Sequence, residues 1–517
     1  MKIAVEPTWR RYDLPIGTVY FRSSIPGDTP QPSSADSLDF ARAQRGCWGA
    51  IIDRGSDVIA LTDGPRSYPL FFTDDGVIAT HPSLIGSREL NRDAAGEFRH
   101  QGFVSGWDTL LTGVSSAPAG SALTFTDGTV RHSYHQAPYT RDNFDGSAEE
   151  FMEVFGRLSR QAIDRLLAES GDRQLLVPLS GGADSRFIIA LLRDAGAKNV
   201  LAYTYGLPGT SEPEISRQVA RQAGFDWVGI ELDVADMRRR WRRPETASFL
   251  ADTWNAQGLP HIQDWYALGK LRDMDEVEPG AIVLPGHTVV GKLHDDWAFD
   301  QNLSIRQLAG ILAKKHANLQ GTPSYPLTVA APRTKLAAFL REVGDLSIAR
   351  TFIAANLLGR QAKYITNSVH AYEHFGFSFA LPLYERPIWE HWLTAPAEIH
   401  NSARTQYRAH VHRVFNQDSA HGSVHYEQPP AARLPAGLVT TLKTALSAVG
   451  VDDAVKNAYR ATVELRHPLG LHAFTGDLSG RQVAGQLFSG TSLMGIYADL
   501  FLSGKWLGAS APYRLWS

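Results

Sequence analysis

Hydrophobic and turn-forming positions alternate at short intervals over the first quarter of the chain. Apolar runs occupy residues 48–52, 58–61, 68–72, 77–79 and 122–125. Asp75-Gly76 and Asp127-Gly128 lie beside such runs, and an Asp-Gly pair is typical of a tight hairpin. The pattern predicts an antiparallel β domain in the N-terminal region.

The pattern changes after residue 148, where apolar strands alternate with amphipathic helices. Strands are predicted at 175–179, 200–206, 227–232 and 281–284, and helices at 186–194 and 214–222. This alternation predicts a doubly wound parallel sheet with additional helices. A junction at 137–147, rich in Pro, Asp, Asn and Gly, separates the two patterns. We therefore expect two domains of the α/β and α+β classes, at 1–140 and 148–517, the first an antiparallel sheet sandwich.

The turn after the strand at 175–179 has the composition of an anion-binding nest. Gly181 and Gly182 leave the backbone accessible, Ser180 and Ser185 add hydroxyl donors, and the next helix directs its free N–H groups at the same point. Asp184 would repel a polyphosphate unless a divalent cation lay between them, and Mg²⁺ with a nucleotide is the simplest arrangement. The alternative is an ordinary Gly-Gly turn between strand and helix.

The Ser-Gly-Gly-Ala-Asp-Ser sequence at 180–185 resembles the pyrophosphate-binding loop of the ATP pyrophosphatase superfamily, and its setting resembles asparagine synthetase. A Walker A loop is excluded because no Gly-Lys-Ser/Thr follows. The resemblance implies cleavage of ATP to AMP and pyrophosphate. It also implies that Tyr203, Thr204, Tyr205 and Gly206 border the adenine, and that Gly286 belongs to the ATP site.

The N-terminal region resembles the glutaminase-type, Ntn domain of asparagine synthetases at 63–72, 97–104 and 109–120. Active members carry a cysteine directly after the initiator methionine as the nucleophile, whereas this chain has Lys2. Cys47, the one cysteine, is expected to be a small core residue. Because no Asn-Gly-Glu segment is present either, the resemblance implies a degenerate domain that does not hydrolyse glutamine.

The strand and turn at 281–291 take the place of the family's Ser-Gly-Glu-Gly-x-Asp-Glu segment. His287 stands where an acid assists amine attack, and Val290 stands where an Asp binds metal. A neutral imidazole accepts a proton near pH 7, so His287 is a candidate base; alternatively it caps the strand or contacts a phosphate. Asp295 and Asp296 are close enough in sequence to replace the missing metal ligand.

The segment 364–385 resembles the helix and proline-containing strand that lead to the acyl-acceptor pocket. Tyr372 and Glu373 are both candidate catalytic residues, but on a helix they diverge by about 100 degrees and so cannot act as one pair. We expect Glu373 to lie opposite His287 as a dyad, the alternative being a surface acid. The family also places a lysine in a C-terminal loop, for which Arg433, Lys443 and Lys456 are alternatives.

A second pocket segment contains Trp254, His261, Asp264, Trp265 and Tyr266. By family position these residues would border the acceptor and could stack on a sugar or a heteroaromatic ring. Aromatic residues in such patterns more often belong to the core.

Composition excludes several classes. The formal charge of −3 and a pI near 6.7 give no global attraction to nucleic acid or to a membrane surface. The arginines at 238–243 predict either a solvated helix face or a local phosphate contact. One cysteine excludes an internal disulfide, and the absence of a long apolar stretch indicates a protein that does not insert in membranes and is cytoplasmic.

We expect an ATP-dependent, AMP-forming carbon–nitrogen ligase that uses ATP and Mg²⁺. Its partners would be a small-molecule or carrier-bound carboxylic acid and an amine or ammonia. The pathway would be secondary metabolite or surface polysaccharide biosynthesis, and a homodimer is one assembly that we consider. Two alternatives are a non-catalytic scaffold of the same fold and a tRNA-modifying enzyme with the same loop.

Overall fold

The computed structural model describes residues 1–25, 27–31, 36–290, 303–321, 325–344, 346–416, 452–508 and 514–516. Within these residues the chain forms three β-sheets and a set of surrounding helices. Two of the sheets lie in the N-terminal region, and the third follows residue 170.

Ten strands build the two N-terminal sheets. They are β1 Lys2–Ala4, β2 Arg10–Leu14, β3 Gly17–Ser23, β4 Trp48–Asp53, β5 Val58–Thr62, β6 Phe71–Thr73, β7 Val77–Ala79, β8 Val114–Ser116, β9 Ser121–Thr126 and β10 Thr129–Tyr134. The antiparallel six-stranded sheet has the order β10-β9-β5-β4-β3-β2, and the four-stranded sheet has the order β1-β7-β6-β8 with β1 parallel to β7. Helices α1 Ser37–Ala43 and α2 Arg92–Gln101 complete this region.

The side chains of β4 alternate between the two faces of the sheet, which explains why this region has two hydrophobic cores. Ile51 contributes to the main core, whereas Ala50 and Ile52 pack on the other side with Phe40 of α1. Because successive side chains of a strand point to opposite faces, an all-apolar strand is buried on both sides. The antiparallel N-terminal region predicted from the sequence is thereby confirmed.

A five-stranded, fully parallel sheet forms the C-terminal region. Its strands are β11 Leu175–Pro178, β12 Val200–Gly206, β13 Asp226–Glu231, β14 Ile282–Val283 and β15 Ser378–Phe379, in the order β13-β12-β11-β14-β15. The order reverses at β11, which lies at the centre of the sheet. Ligands of open α/β sheets bind at such a switch point, outside the carboxyl ends of the strands.

Helices cover this sheet and fill the rest of the described chain. They are α3 Ala148–Ser170, α4 Ala183–Asp194, α5 Glu212–Ala223, α6 Val234–Trp241, α7 Glu245–Asp252, α8 Trp265–Arg272, α9 Ile305–His316, α10 Tyr325–Val343, α11 Ile348–Asn356, α12 Val369–His374, α13 Arg386–Leu393, α14 Ala397–Asn416, α15 Asp452–Leu465, α16 Gly480–Phe488 and α17 Leu493–Ser503. A π-helical segment, Leu357–Ile365, continues α11. None of the helices in the described ranges is both long and apolar enough to cross a membrane.

Several predicted boundaries are corrected by the structure. Helix α4 begins at Ala183, three residues before its predicted start, so Asp184 and Ser185 belong to its first turn. The strand predicted at 68–72 begins only at Phe71, and the one at 281–284 shrinks to Ile282–Val283. Helix α3 starts at Ala148, where Ser147 and Glu150 form a capping box.

Candidate functional site

The glycine-rich turn lies at the carboxyl end of the central strand β11, where the topology expects a ligand. Leu179 is anchored by three hydrogen bonds: its N–H donates to Tyr203 O at 2.8 Å, and its carbonyl accepts from Thr204 Oγ1 at 2.6 Å and Ser216 Oγ at 2.8 Å. The glycine-rich turn therefore starts from a residue that is rigidly hydrogen-bonded to the sheet.

Within the turn, the two serines hold the backbone in shape. Ser180 N–H donates to Ser185 Oγ at 3.1 Å, and Gly182 N–H donates to Ser180 Oγ at 3.1 Å. Both hydroxyls are thus committed to the loop in this structure, and the exposed Gly182 is its tip.

Helix α4 begins directly behind this tip without a side-chain cap. Gly182 occupies the N-cap position and makes no side-chain capping hydrogen bond, since it has no side chain. The first-turn N–H groups of a helix attract anions when no side chain caps them. A phosphate group is therefore suited to the space beside Gly182.

One amide of the turn already holds a carboxylate. Gly181 N–H donates to Glu212 Oε1 at 2.6 Å, and Glu212 is the first residue of α5. In this structure a carboxylate oxygen of the protein itself therefore occupies the Gly181 N–H, a donor of the kind that can bind an anion. Sequence reasoning missed Glu212, because only the fold brings α5 to the loop.

Asp184 is half-buried in the first turn of α4, next to the anion-binding amides. Mg²⁺ is commonly bound by one or two carboxylates together with substrate phosphates, so this single acid fits the ion. Among the residues described, no group of three or more His, Cys, Asp or Glu is arranged to hold a metal by itself. Asp295 and Asp296, like Arg433 and Lys443, lie outside the described residues, and the Lys456 side chain is not described.

The segment Tyr203–Gly206 is the end of β12, beside the loop. Tyr203 and Thr204 are buried at 0% and 4% exposure, and Thr204 also accepts from Trp227 Nε1 at 3.3 Å. In this structure the two side chains pack inside the protein. Tyr205 is partly exposed, and Gly206 lies at the end of the strand.

Gly286 packs against the first turn of α4. A Cβ atom on Gly286 would lie 3.0 Å from Ser185 N and 3.2 Å from Asp184 Cβ. Only glycine allows this approach without displacing backbone. The turn that follows β14 therefore helps to position the candidate anion site. Val290, expected in place of a metal-binding acid, is buried.

His287 lies next to this contact. Its Nε2 is 3.5 Å from Ser368 Oγ, and its Nδ1 is buried without a hydrogen-bond partner in the described chain. Burial, reinforced by His261, lowers the pKa of His287 to about 4. The imidazole is neutral at pH 7, as expected of a base, but it binds a proton weakly.

Tyr372 is buried near Asp264. Burial raises the pKa of Tyr372 well above its usual range, with further contributions from Asp264, Tyr203 and Tyr205. Asp264 is itself buried, with 4% exposure, and it also contacts His261 Nδ1 at 3.0 Å. Asp264 therefore holds the His261 imidazole in place, as the orienting group of an acid–base pair does.

Glu373 does not form the expected dyad with His287. One carboxylate oxygen accepts from Arg22 Nη2 at 2.7 Å and Tyr68 Oη at 2.9 Å, and the other contacts His370 Nδ1 at 2.8 Å. Burial alone would raise the pKa of Glu373, but Arg22 and His370 lower this pKa to about 2. Adjacent helical positions project in different directions, so Glu373 faces the N-terminal sheets while Tyr372 faces the site.

The aromatic residues of the second pocket segment are core residues. Trp254, Trp265 and Tyr266 are at most 8% exposed, and Tyr266 Oη donates to Asp236 at 2.8 Å. His261 and Asp264 from the same segment do reach the site. Their i, i+3 spacing was visible in the sequence, but it did not single them out as a pair.

The basic cluster on α6 has internal partners. Arg239 and Arg240 pair with Asp236, while Arg238 donates to His472 O and Arg242 to Gly476 O. These contacts attach α6 to the C-terminal segment and account for the cluster structurally.

Cys47 is a core residue, as predicted. It is 2% exposed, and burial, with a contribution from Asp63, raises the pKa of its thiol. Lys2 lies in β1. Neither position offers a thiolate nucleophile.

Comparison with known proteins agrees with the loop. No curated protein matches the chain. The family model described as asparagine synthase matches residues 156–257, a segment that runs from within α3 through β11, the glycine-rich loop and β13 to the residues that follow α7. An ATP-binding, ligase-type core of this kind agrees with the anion-binding geometry at Gly181 and Gly182. Residues 156–257 are therefore similar to asparagine synthases, and the match includes the glycine-rich loop.

Proposed function

We propose that this protein is an ATP-dependent ligase that adenylates a substrate carboxylate and transfers the acyl group to an amine. The observation that carries the proposal is the uncapped N-terminus of α4 behind Gly182, beside an amide of Gly181 that already binds a carboxylate. These donors suit the pyrophosphate part of ATP.

Asp184 would hold Mg²⁺ at this position. The ion would neutralise phosphate charge and so favour departure of pyrophosphate. In the first step a carboxylate oxygen of the acid attacks the α-phosphorus and the bond to the β-phosphate oxygen breaks. The products are an acyl-adenylate and pyrophosphate.

In the second step the amine attacks the acyl carbon, and AMP leaves with the electron pair of the acyl C–O bond. The attacking nitrogen must lose a proton. His261 is the better candidate base, because Asp264 orients its Nδ1 and can stabilise the imidazolium that forms. His287, neutral and with an orphaned Nδ1, would instead contact substrate.

The nitrogen would come from an amine or ammonia rather than from glutamine. Cys47, the one cysteine of the sequence, is buried and so offers no exposed thiol. We propose that the N-terminal region has kept the sheets of a glutaminase-type domain without its chemistry.

The test is ATP–pyrophosphate exchange with a panel of carboxylic acids. Asp184→Asn should lower acid-dependent exchange by about two orders of magnitude, because the metal-bound phosphates lose their anchor. Asp172→Asn, at an exposed position at the other end of β11, is the control and should match the wild type. Exchange that Asp184→Asn leaves unchanged would exclude this mechanism, and no exchange with any acid would favour a non-catalytic scaffold.

A second experiment separates the two half-reactions. His261→Gln should retain exchange, since adenylation does not use the base, while amine-dependent AMP formation falls about 10²-fold or more. A parallel loss of both activities would mean that His261 supports binding of ATP or acid instead.

A further inference from the structure

A cavity beside the candidate site contains two cations without a described counterion. It has a volume of about 550 Å³ and is lined by fifteen residues, none of which is Asp or Glu. Lys315 of α9 and Arg360 of the π-helical segment both line it. A cavity of this size suits a small metabolite.

The two cations are held by aromatic rings rather than by acids. Lys315 Nζ lies 4.7 Å from the centroid of the Phe352 ring, and Arg360 Cζ lies 5.6 Å from that of Tyr364. In the described parts of the chain, neither cation has a carboxylate oxygen within 4.0 Å. Partial burial lowers the pKa of Lys315 to about 8, and the charge of Arg360 adds to the effect. Two like charges in a partly dry space are unfavourable until an anion joins them.

A neighbouring cavity contains a lysine that forms ion pairs with acidic side chains. That cavity, of about 410 Å³, shares Gln101 and His316 with the first. Its Lys335 contacts Glu97 at 2.6 Å and Asp108 at 3.1 Å. The contrast indicates that Lys315 and Arg360 are arranged for an external partner.

The cavity adjoins the candidate reaction centre on two sides. His261, hydrogen-bonded to Asp264, lines it directly. Gln361, also in its wall, accepts from Tyr384 Oη at 3.2 Å, and the charge of Asp184 acts on the Tyr384 hydroxyl. A molecule in the cavity therefore lies beside the His261 imidazole.

Local backbone geometry also marks this wall. The segment Leu357–Ile365 is π-helical, with Gly359 at non-helical angles (φ −93, ψ −107). π-Helical turns are rare and are frequent at functional sites. Gln263, which lines the same cavity, has a buried Oε1 without a hydrogen-bond partner among the described residues, while its Nε2 donates to Tyr364 Oη at 3.1 Å.

We propose that Lys315 and Arg360 bind an anionic group, a carboxylate or a phosphate, carried by one of the two substrates in addition to the groups that react. Calling the bound molecule a substrate rests on the proposed ligase function. The anion site itself does not depend on that function. Arg360 can bind an oxyanion through two N–H groups, and Lys315 adds a point charge.

The experiment is calorimetric titration of the full chain with dicarboxylates from malonate to adipate, with glycerol 3-phosphate, and with glutaramide as the neutral analogue. At least one anion should bind, and glutaramide should bind at least tenfold more weakly. Arg360→Gln and Lys315→Gln should each weaken the anion about tenfold or more. Lys314→Gln, at the exposed neighbouring position on α9, should leave binding within about twofold of wild type.

Asp184→Asn separates this site from the glycine-rich loop. Anion binding that persists in Asp184→Asn but is lost in Arg360→Gln supports the inference even if ATP–pyrophosphate exchange is never observed. Equal binding in all variants, or no binding of any anion to the wild type, overturns it while leaving the adenylation proposal intact. Tighter binding of glycerol 3-phosphate than of every dicarboxylate assigns a phosphate group, and the reverse order assigns a carboxylate.

A labelling experiment on the wild type covers the case in which the variants do not fold. Acetic anhydride should acetylate Lys315 and Lys314 at about pH 8, as read by peptide mass. The best-binding anion should protect Lys315 and not Lys314. Equal protection of the two lysines, or none, counts against the site.

Discussion

Replacing Gly286 by alanine tests whether the turn after β14 positions the anion site. The new Cβ would lie 3.0 Å from Ser185 N and 3.2 Å from Asp184 Cβ. Ordinary contacts of these atoms are about 3.5 to 4.0 Å, so either the first turn of α4 or the Gly286 turn must move by roughly 0.5 Å. Both contacts are with α4, whose first turn carries Asp184.

Two effects of different size follow from this displacement. Overpacking of this kind costs about 1 to 3 kcal/mol of unfolding free energy, which a chain of this size tolerates. A misplacement approaching 1 Å in a catalytic group costs up to about 10²-fold in rate. Gly286→Ala should therefore fold but lose about ten- to a hundredfold in kcat/KM of ATP–pyrophosphate exchange.

The assay is exchange measured beside the thermal unfolding midpoint of the same sample. Gly480→Ala is the matched control, because a Cβ there meets nothing within 4 Å and its φ is not positive. Gly480→Ala should keep the exchange activity and the thermal unfolding midpoint of the wild type. Exchange by Gly286→Ala within about twofold of wild type would refute the reasoning that this contact sets the geometry of the loop.

Three further predictions concern the N-terminal region and its contact with α12. Glu373→Gln should lower the unfolding free energy by about 1.5 to 3 kcal/mol, because Arg22 and Tyr68 lose a charged acceptor while Arg22 keeps its longer pair with Glu6. Exchange should stay within about threefold, and Glu390→Gln, with a side chain 60% exposed, is the surface control. A hundredfold loss of activity at unchanged stability would instead make Glu373 catalytic. Cys47 should resist a disulfide reagent in the native protein and react once the chain is unfolded, and rapid native labelling would contradict its burial. His135, whose pKa is lowered to about 3 by burial and by Arg386, should make stability fall as pH decreases. Below the ordinary pKa of about 6.5 the unfolded chain binds the proton first, so His135 alone removes about 2 kcal/mol between pH 6.5 and about pH 5. Urea midpoints that stay flat over this range would contradict the assignment.

Features encoded in consecutive residues were predictable from the sequence. The runs that became β4, β5, β7 and β9 are apolar over their own length, and the Asp127-Gly128 turn has the positive φ angles (46 and 76) that such a hairpin needs. The loop at 180–185 was found in the same way, because glycines, serines and an acid lie next to one another. Strands β1, β2 and β3 were not predicted, since apolar and polar residues alternate only weakly along them. These strands are defined by their hydrogen-bonded pairing with other strands of the sheets.

The pairs that define the site could not be read in this way. Gly181 and Glu212 are 31 residues apart, and Arg22 and Glu373 are 351 residues apart. A lone acid on a helix carries no signal of whether it faces the loop or another domain. For this reason the sequence correctly separated Tyr372 from Glu373 but assigned Glu373 the wrong neighbour.

By itself the sequence determined the local chemistry of this protein: a strand, a glycine-rich turn suited to an anion, and a helix. These depend on backbone freedom and side-chain type over a few residues. The tertiary structure decided which distant groups meet that turn. It placed Glu212 on the Gly181 amide, joined Asp264 to His261, turned Glu373 toward Arg22, and left Lys315 and Arg360 beside a cavity without a described acid. Such contacts arise from packing across the chain, where burial fixes the cost of every unpaired charge.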